Sequence, residues 1–412
     1  RRVLFRSKRI QSSRTARGRT SVDTLATRAS NEGPGSAVRG SASGRPLPSV
    51  VAVGEQGLVA GEAAEKILAV RPGAGAREVK RRFGDTTPIV LDGSPYGPDA
   101  LTGTLLRHVV DVSGVNPGAT ELVLTHPANW GAYKLDLLRN VGAAIGFDQV
   151  ELLSEPAAAA LHYARTGRLN PGDHVAVYDF GGGTFDAAVV TLGPDGPVIE
   201  GTPQGLERLG GIDLDEMVFG HVARSLGGSL SDLDRTDPDV RRAVMQLRAD
   251  CTTAKELLSA DGETTVTVVA PGLHTQVRIT REEFESAMRP RIAETLSALD
   301  RAVAGAGLQI GDLVGIVLVG GSSRIPLVAE IVASHTGLPV LSDGDAKLVV
   351  ALGAAGGLAD DEPETAVPAA VAAATAVVTV AAAAAAEPSY PVPTSSTEST
   401  TTPQREIGRA HV

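Results

Sequence analysis

The sequence predicts an α/β protein, organised as two or three units or as one large two-lobed unit, with disordered ends. Its 412 residues exceed one ordinary domain, which holds roughly 100–200 residues. From Pro48 onward, apolar runs of strand length alternate with stretches of helical period. Hydrophobic residues make up 42% of the chain, but Phe, Trp and Tyr only 3%, so the core must be built from Ala, Val, Leu and Ile.

The same composition excludes several functions. Scarce aromatics remove stacking platforms for single-stranded nucleic acid. A net charge of −10 argues against a polyanionic partner, so no nucleic acid is expected. The single cysteine, Cys251, can form neither an internal disulfide nor a Cys-based zinc site, as suits a reducing, cytoplasmic setting. Charge is unevenly spread: residues 1–48 hold eleven Lys/Arg against two Asp/Glu, and the rest 27 against 46. Residues 1–47, rich in Ser, Arg, Gly and Thr, show no helical or strand period and are expected to be disordered.

The extreme ends read as one adapter sequence translated on both strands. Residues 1–7 can be encoded CGA CGT GTG CTC TTC CGA TCT. The reverse complement contains ATC GGA AGA GCA CAC GTC, which encodes residues 407–412, with the preceding AG completing the Glu406 codon. Both ends are therefore set apart from the fold, and the frame is expected to be a fragment.

The ordered pattern starts with a strand at Pro48–Val53, a Gly54-Glu55-Gln56-Gly57 turn and a partner strand at Leu58–Ala60. Leu101–Val112 has helical period, and Glu121–Thr125 reads as a strand. Leu137, Val141 and Ile145 share a helical face, with Leu138 beside it and Gly146 as the stop. A strand at Val150–Leu153 leads into Glu155-Pro156, where the proline fits the first turn of an Ala-rich helix.

The most informative stretch runs from His174 to Val190. Val175 and Val177 mark one strand and Thr184–Val190 another, with Gly181, Gly182 and Gly183 as the turn between Asp179 and Asp186. It is either a glycine-rich hairpin without a ligand or a phosphate-binding turn. Glycine tolerates φ > 0 and lets backbone N–H groups approach phosphate oxygens. The flanking carboxylates can hold Mg²⁺, with Asp179 as the metal-site candidate. A second glycine turn follows the strand Gly315–Val319: Gly320-Gly321-Ser322-Ser323-Arg324-Ile325-Pro326 opens a helix near Leu327. Bare backbone and a planar guanidinium then lie at a strand's carboxyl end, either as a packing turn or as a ligand site. Rossmann and Walker-type glycine motifs do not occur.

In this order the pieces resemble the ATPase domain of the seventy-kilodalton heat-shock chaperone family. Asp179–Asp186 resembles its second phosphate loop, Val319–Pro326 its adenosine loop, Leu153–Ala160 its first connecting helix, and Leu209–Asp215 its Gly-Gly-x-Asp-x-Asp segment. The likeness covers about three-quarters of the chain, Pro48 to Leu358. It implies an actin-like ATPase fold, two α/β lobes around a cleft for ATP or ADP with Mg²⁺. The lobes are expected at about 48–171 with 345–358, and 172–344.

By that resemblance Lys80 lies near the γ-phosphate, Asp179 at the metal, Thr184 on phosphate, Asp186 near the attacking water and Glu155 in the cleft. Pro127 matches an interlobe switch proline. Lys255, Ser259, Gly320, Gly321, Ser322 and Arg324 match the nucleotide side. Cys251 reads as a small apolar helix residue rather than a nucleophile, because no activating partner is evident.

The departures are equally specific. No Asp-Leu-Gly-Thr-Thr first phosphate loop occurs, so weak ATP turnover is expected. Thr252 and Glu256 replace residues that commonly contact the nucleoside, and Leu135 stands where an interlobe arginine is common. After Leu358 an acidic, Pro-marked linker is expected to begin, with no substrate-binding β-sandwich expected in the residues after it. Residues 366–386 form an Ala/Val run, read as a low-complexity linker or alternatively as a membrane span, and Ser389–Gln404 as disordered. Three function classes follow: a nucleotide-driven chaperone switch, an actin-like small-molecule kinase, and a nucleotide sensor or structural protein with little turnover. The first implies unfolded client proteins and a co-chaperone or exchange partner.

Overall fold

The computed structural model describes residues 2–7, 37–38, 47–343, 346, 348–356 and 375–381. The first half of the chain contributes β1 (Arg2–Ser7), β2 (Ala37–Val38), β3 (Leu47–Pro48), β4 (Val50–Gly54), β5 (Gly57–Ala60), α1 (Glu62–Val70), β6 (Gly75–Arg77), β7 (Ile89–Leu91), β8 (Ser94–Tyr96), α2 (Pro98–Ser113), β9 (Thr120–His126), α3 (Ala132–Ala144), β10 (Val150–Ser154) and α4 (Glu155–Arg165). The second contributes β11 (His174–Phe180), β12 (Phe185–Gly193), β13 (Gly196–Leu206), α5 (Gly211–Ser225), α6 (Pro238–Leu257), β14 (Glu263–Ala270), β15 (Leu273–Thr280), α7 (Arg281–Gly305), β16 (Gly315–Val319), α8 (Pro326–Thr336), β17 (Val340–Leu341), α9 (Val349–Gly356) and β18 (Thr375–Ala381).

Local chemistry sets most of these boundaries. The expected hairpin closes between Gly54 and Gly57, and Gly57 takes φ +122° at its turn. Helix α2 starts on Pro98, buries Leu101, Leu105, Leu106 and Val109 on one face, and ends where Gly114 adopts φ +66°. Ser154 caps α4 by accepting the Ala157 N–H at 3.4 Å, and Pro156 sits in its first turn. The stop after α3 is Gly146, with φ +105°.

Strands β13, β12, β11, β16 and β17 form one sheet in that order. The first three make an antiparallel meander, and β16 and β17 join in parallel. One face carries Tyr178, Phe180 and Phe185, packed against α5, α6 and α7 through Val218, Cys251 and Ile292. The other carries Val175, Val177 and Val317, packed against Ala158 and Ala159 of α4 and Val350 and Ala354 of α9. A near-continuous Val strand is what a sheet covered on both faces requires. At Gly353 a Cβ would run into the Ala158 carbonyl oxygen, so only glycine lets α9 lie against α4.

Near the ends, Arg2–Ser7 is a strand antiparallel to both β9 and β18. Its alternating Val3 and Phe5 allow that pairing, a signal that the composition of the longer segment hides. Within residues 366–386, Thr375–Ala381 is a strand and not part of a membrane-spanning helix. Its β-branched Val377, Val378, Thr379 and Val380 favour extended backbone. No helix among the described residues is long and apolar enough to cross a membrane. The rest of that run, residues 1, 8–36 and 39–46, the linker near 359–364, Ser389–Gln404 and the second adapter stretch lie outside the described residues.

Candidate functional site

The antiparallel register of β11 and β12 sets Asp179 directly across from Asp186, with Phe180 across from Phe185 just beyond. The two phenylalanines and Tyr178 interlock edge to face, with ring centres 4.5–6.4 Å apart, and anchor the strand ends that carry the carboxylates. Desolvation, and then the charge of Asp179, push the Asp186 carboxyl up to about 7. Lys80 and a hydrogen bond from Thr184 oppose that rise. The Thr184 hydroxyl donates to Asp186 Oδ2 at 3.1 Å, and Asn129 Nδ2 donates to Oδ1 at 3.4 Å.

The glycines between the carboxylates act through close approach, not through φ. Neither Gly181 nor Gly183 takes a left-handed φ. The Gly181 carbonyl accepts from Ser322 Oγ at 2.8 Å and from the Gly211 N–H at 3.0 Å, while the Gly182 carbonyl accepts from the Ile212 N–H at 2.9 Å. The left-handed residue is Gly320, with φ +87°. A Cβ there would lie 2.5 Å from both Asp179 Oδ1 and the Phe180 carbonyl oxygen. Both glycine turns therefore meet at the end of β11.

Lys80 occupies a short 3-10 turn, Val79–Arg82. Its ammonium donates to both oxygens of the buried Glu155, at 2.8 and 3.1 Å. Glu155 opens α4 and lines a cavity with Pro127, Pro156, Asp179, Asp186 and Pro203. Next to Pro127, His126 is buried with its Nδ1 2.8 Å from the Pro127 carbonyl. Burial holds the imidazole below its ordinary pKa. Leu135 is half-buried in the first turn of α3.

Lys255 is buried and pairs with Asp215 Oδ1 at 2.7 Å, while donating to the Gly211 carbonyl at 3.1 Å. A Cβ on Gly211 would lie 3.1 Å from Ser322 Oγ, 3.3 Å from Lys255 Nζ and 3.4 Å from Gly182 Cα. Lys255, Ser322 and Gly182 thus converge on one point of bare backbone. Ser259 follows one turn after Lys255 and is half-buried; Gly321 is half-buried and Arg324 exposed beside it in sequence. Glu256 is exposed, and Thr252 supports Asp215 by a side-chain hydrogen bond. Cys251 faces the core, where burial pushes its thiol up to about 12. Sequence reasoning assigned no role to Arg81, Asn129, His126 or Asp213. Asp213 lies inside the Leu209–Asp215 segment, while Arg81 follows Lys80 and His126 and Asn129 flank Pro127 in the chain.

Residues 29–360 match the family model described as Hsp70 protein. The chain belongs to the Hsp70 family. Its match extends at the amino end beyond the resemblance first seen at Pro48. Chaperone protein DnaK of Thermosipho melanesiensis is 29% identical over 320 residues, covering 76% of this chain and 53% of that protein. The Hsp70 chain thus spans about half the length of the curated relative it matches. The two α/β halves around the β11 end are the actin-like ATPase fold of the Hsp70 family, whose members bind ATP or ADP with magnesium.

The residues present fit such a group. A carboxyl held near neutrality beside a second carboxylate is a site that a cation would relieve. At Gly211 and Gly320 a Cβ would meet Ser322 Oγ at 3.1 Å and Asp179 Oδ1 at 2.5 Å, so both turns stay without side chains beside the carboxylates.

Proposed function

We propose that this Hsp70-family chain binds Mg-ATP between its lobes, hydrolyses it, and uses the cycle to assist the folding of client proteins. One observation carries the reading: Glu155, ion-paired with Lys80 in the first half of the chain, lines one cavity with Asp179 and Asp186 from the second. Magnesium, when bound with the nucleotide, supplies charge neutralisation on the phosphates. Asp179 would hold it.

Asp186, directly across from Asp179, is the carboxylate that would orient the attacking water. Thr184 fixes the Asp186 rotamer through its 3.1 Å hydrogen bond and would contact the phosphates. Lys80, held by Glu155, offsets negative charge as attack proceeds. Lys255, Ser259, Gly320, Gly321, Ser322 and Arg324 form the side that takes the nucleoside. Client proteins and a co-chaperone or exchange partner are the partners such a cycle needs.

Titration calorimetry with Mg-ATP tests the site, comparing the chain with Asp179→Asn. Binding that requires magnesium and weakens about tenfold or more in the variant is expected, a change equal to about 1.4 kcal/mol. Equal affinity in both proteins removes Asp179 from the site.

A further inference from the structure

The turn that carries Lys80 sends a second cation the opposite way. Glu78 enters it at φ +54°, a left-handed conformation that a non-glycine residue keeps only when its surroundings hold it. Lys80 reaches back to Glu155. Arg81 reaches across to the other lobe, donating through Nη2 to the Gly183 carbonyl and lying 3.5 Å from Asp213 Oδ2. Glu78 steadies the guanidinium from behind, 3.1 Å from Nη1.

Both of Arg81's targets belong to one joint. Asp213 Oδ2 accepts the Gly210 N–H at 2.8 Å, and a Cβ on Gly210 would lie 2.5 Å from the Gly183 backbone. The tip of the Asp179–Asp186 hairpin therefore rests on the start of α5, and Arg81 lies over that contact. Gly183 permits it, since a Cβ there would stand 3.0 Å from Arg81 Nε. Only a planar fork can serve a carbonyl, a carboxylate across the cleft and Glu78 together; lysine, a point charge, cannot.

We propose that Arg81 is a positioning residue that latches the two lobes, holding the Lys80 turn against the tip of the hairpin and keeping the cleft closed over its ligand. The second clause rests on the nucleotide site proposed above. These contacts bridge the two lobes and leave each lobe's core untouched, so their loss shifts the open–closed population rather than unfolding either lobe.

The test uses the full chain, Arg81→Ala and Arg81→Lys. Hydrogen exchange is followed without nucleotide, and the dissociation of a fluorescent ADP analogue with magnesium. In Arg81→Ala, peptides over residues 79–83 and 182–186 should exchange faster while β14 and β15 stay unchanged. ADP dissociation should accelerate about tenfold, the worth of one hydrogen bond to a charged group. Arg81→Lys should fall between, and stands in for the alanine variant should that fail to fold. Unchanged exchange at 182–186, or an unchanged dissociation rate, overturns the latch. If the unaltered chain binds no ADP, the nucleotide site fails, and exchange at 182–186 alone decides the latch, faster supporting it and unchanged overturning it.

Discussion

Asp179 and Asp186 face each other across β11 and β12, and the charge of the first helps hold the proton on the second. Desolvation raises the Asp186 carboxyl from 3.8 to about 7, so the folded state binds this proton more tightly than the unfolded chain. The stability it contributes is complete below about pH 4 and is lost as pH rises through 7. Asp186→Asn should flatten that fall. Denaturant melts of both proteins from pH 4 to 8 check it; parallel pH profiles would show that Asp186 titrates normally.

Removing the Lys80 ammonium leaves the buried Glu155 carboxylate without its cation. Because Lys80 is partly exposed, Lys80→Ala should cost about 1–2 kcal/mol of stability, less than a fully buried pair would. Adding Glu155→Gln should recover much of that cost. A double-mutant cycle by chemical denaturation reads the coupling, and strictly additive losses would disprove it.

Gly320→Ala combines a left-handed φ with a Cβ 2.5 Å from the Asp179 carboxylate and the Phe180 carbonyl. We expect a loss of about 1–3 kcal/mol, together with weaker magnesium dependence of nucleotide binding, since Asp179 must move. Thermal melts and calorimetry on the same sample measure both effects. A variant as stable as its parent contradicts the packing at this turn.

Cys251, with its thiol pushed up to about 12 by burial, stays protonated at neutral pH. It should resist alkylation by iodoacetamide in the folded protein and react at the ordinary rate of a free thiol in denaturant. Mass spectrometry of the single adduct follows the change. Rapid labelling without denaturant would place Cys251 outside the core.

Elements whose signals are local were legible in the chain itself. Val175 and Val177 with three following glycines marked β11 and its turn, and Pro156 and Gly146 marked helix ends, because proline and glycine φ preferences act within a few residues. Strand β1 was not legible. Its Val3 and Phe5 become a strand only through pairing with Thr120–His126, more than a hundred residues away.

For the site, sequence alone determined which residue types stand together: two carboxylates flanking glycines, a second glycine turn, and a lysine whose importance came through resemblance to a family. Tertiary structure decided what each one meets. Lys80 finds Glu155 75 positions away, and Arg81 finds Gly183 102 positions away. The glycines of the first turn serve close approach rather than a left-handed φ, and one carboxyl of a like pair is raised to about 7. Desolvation and charge pairing depend on atoms brought together by folding, so neither is written in any local stretch of the chain.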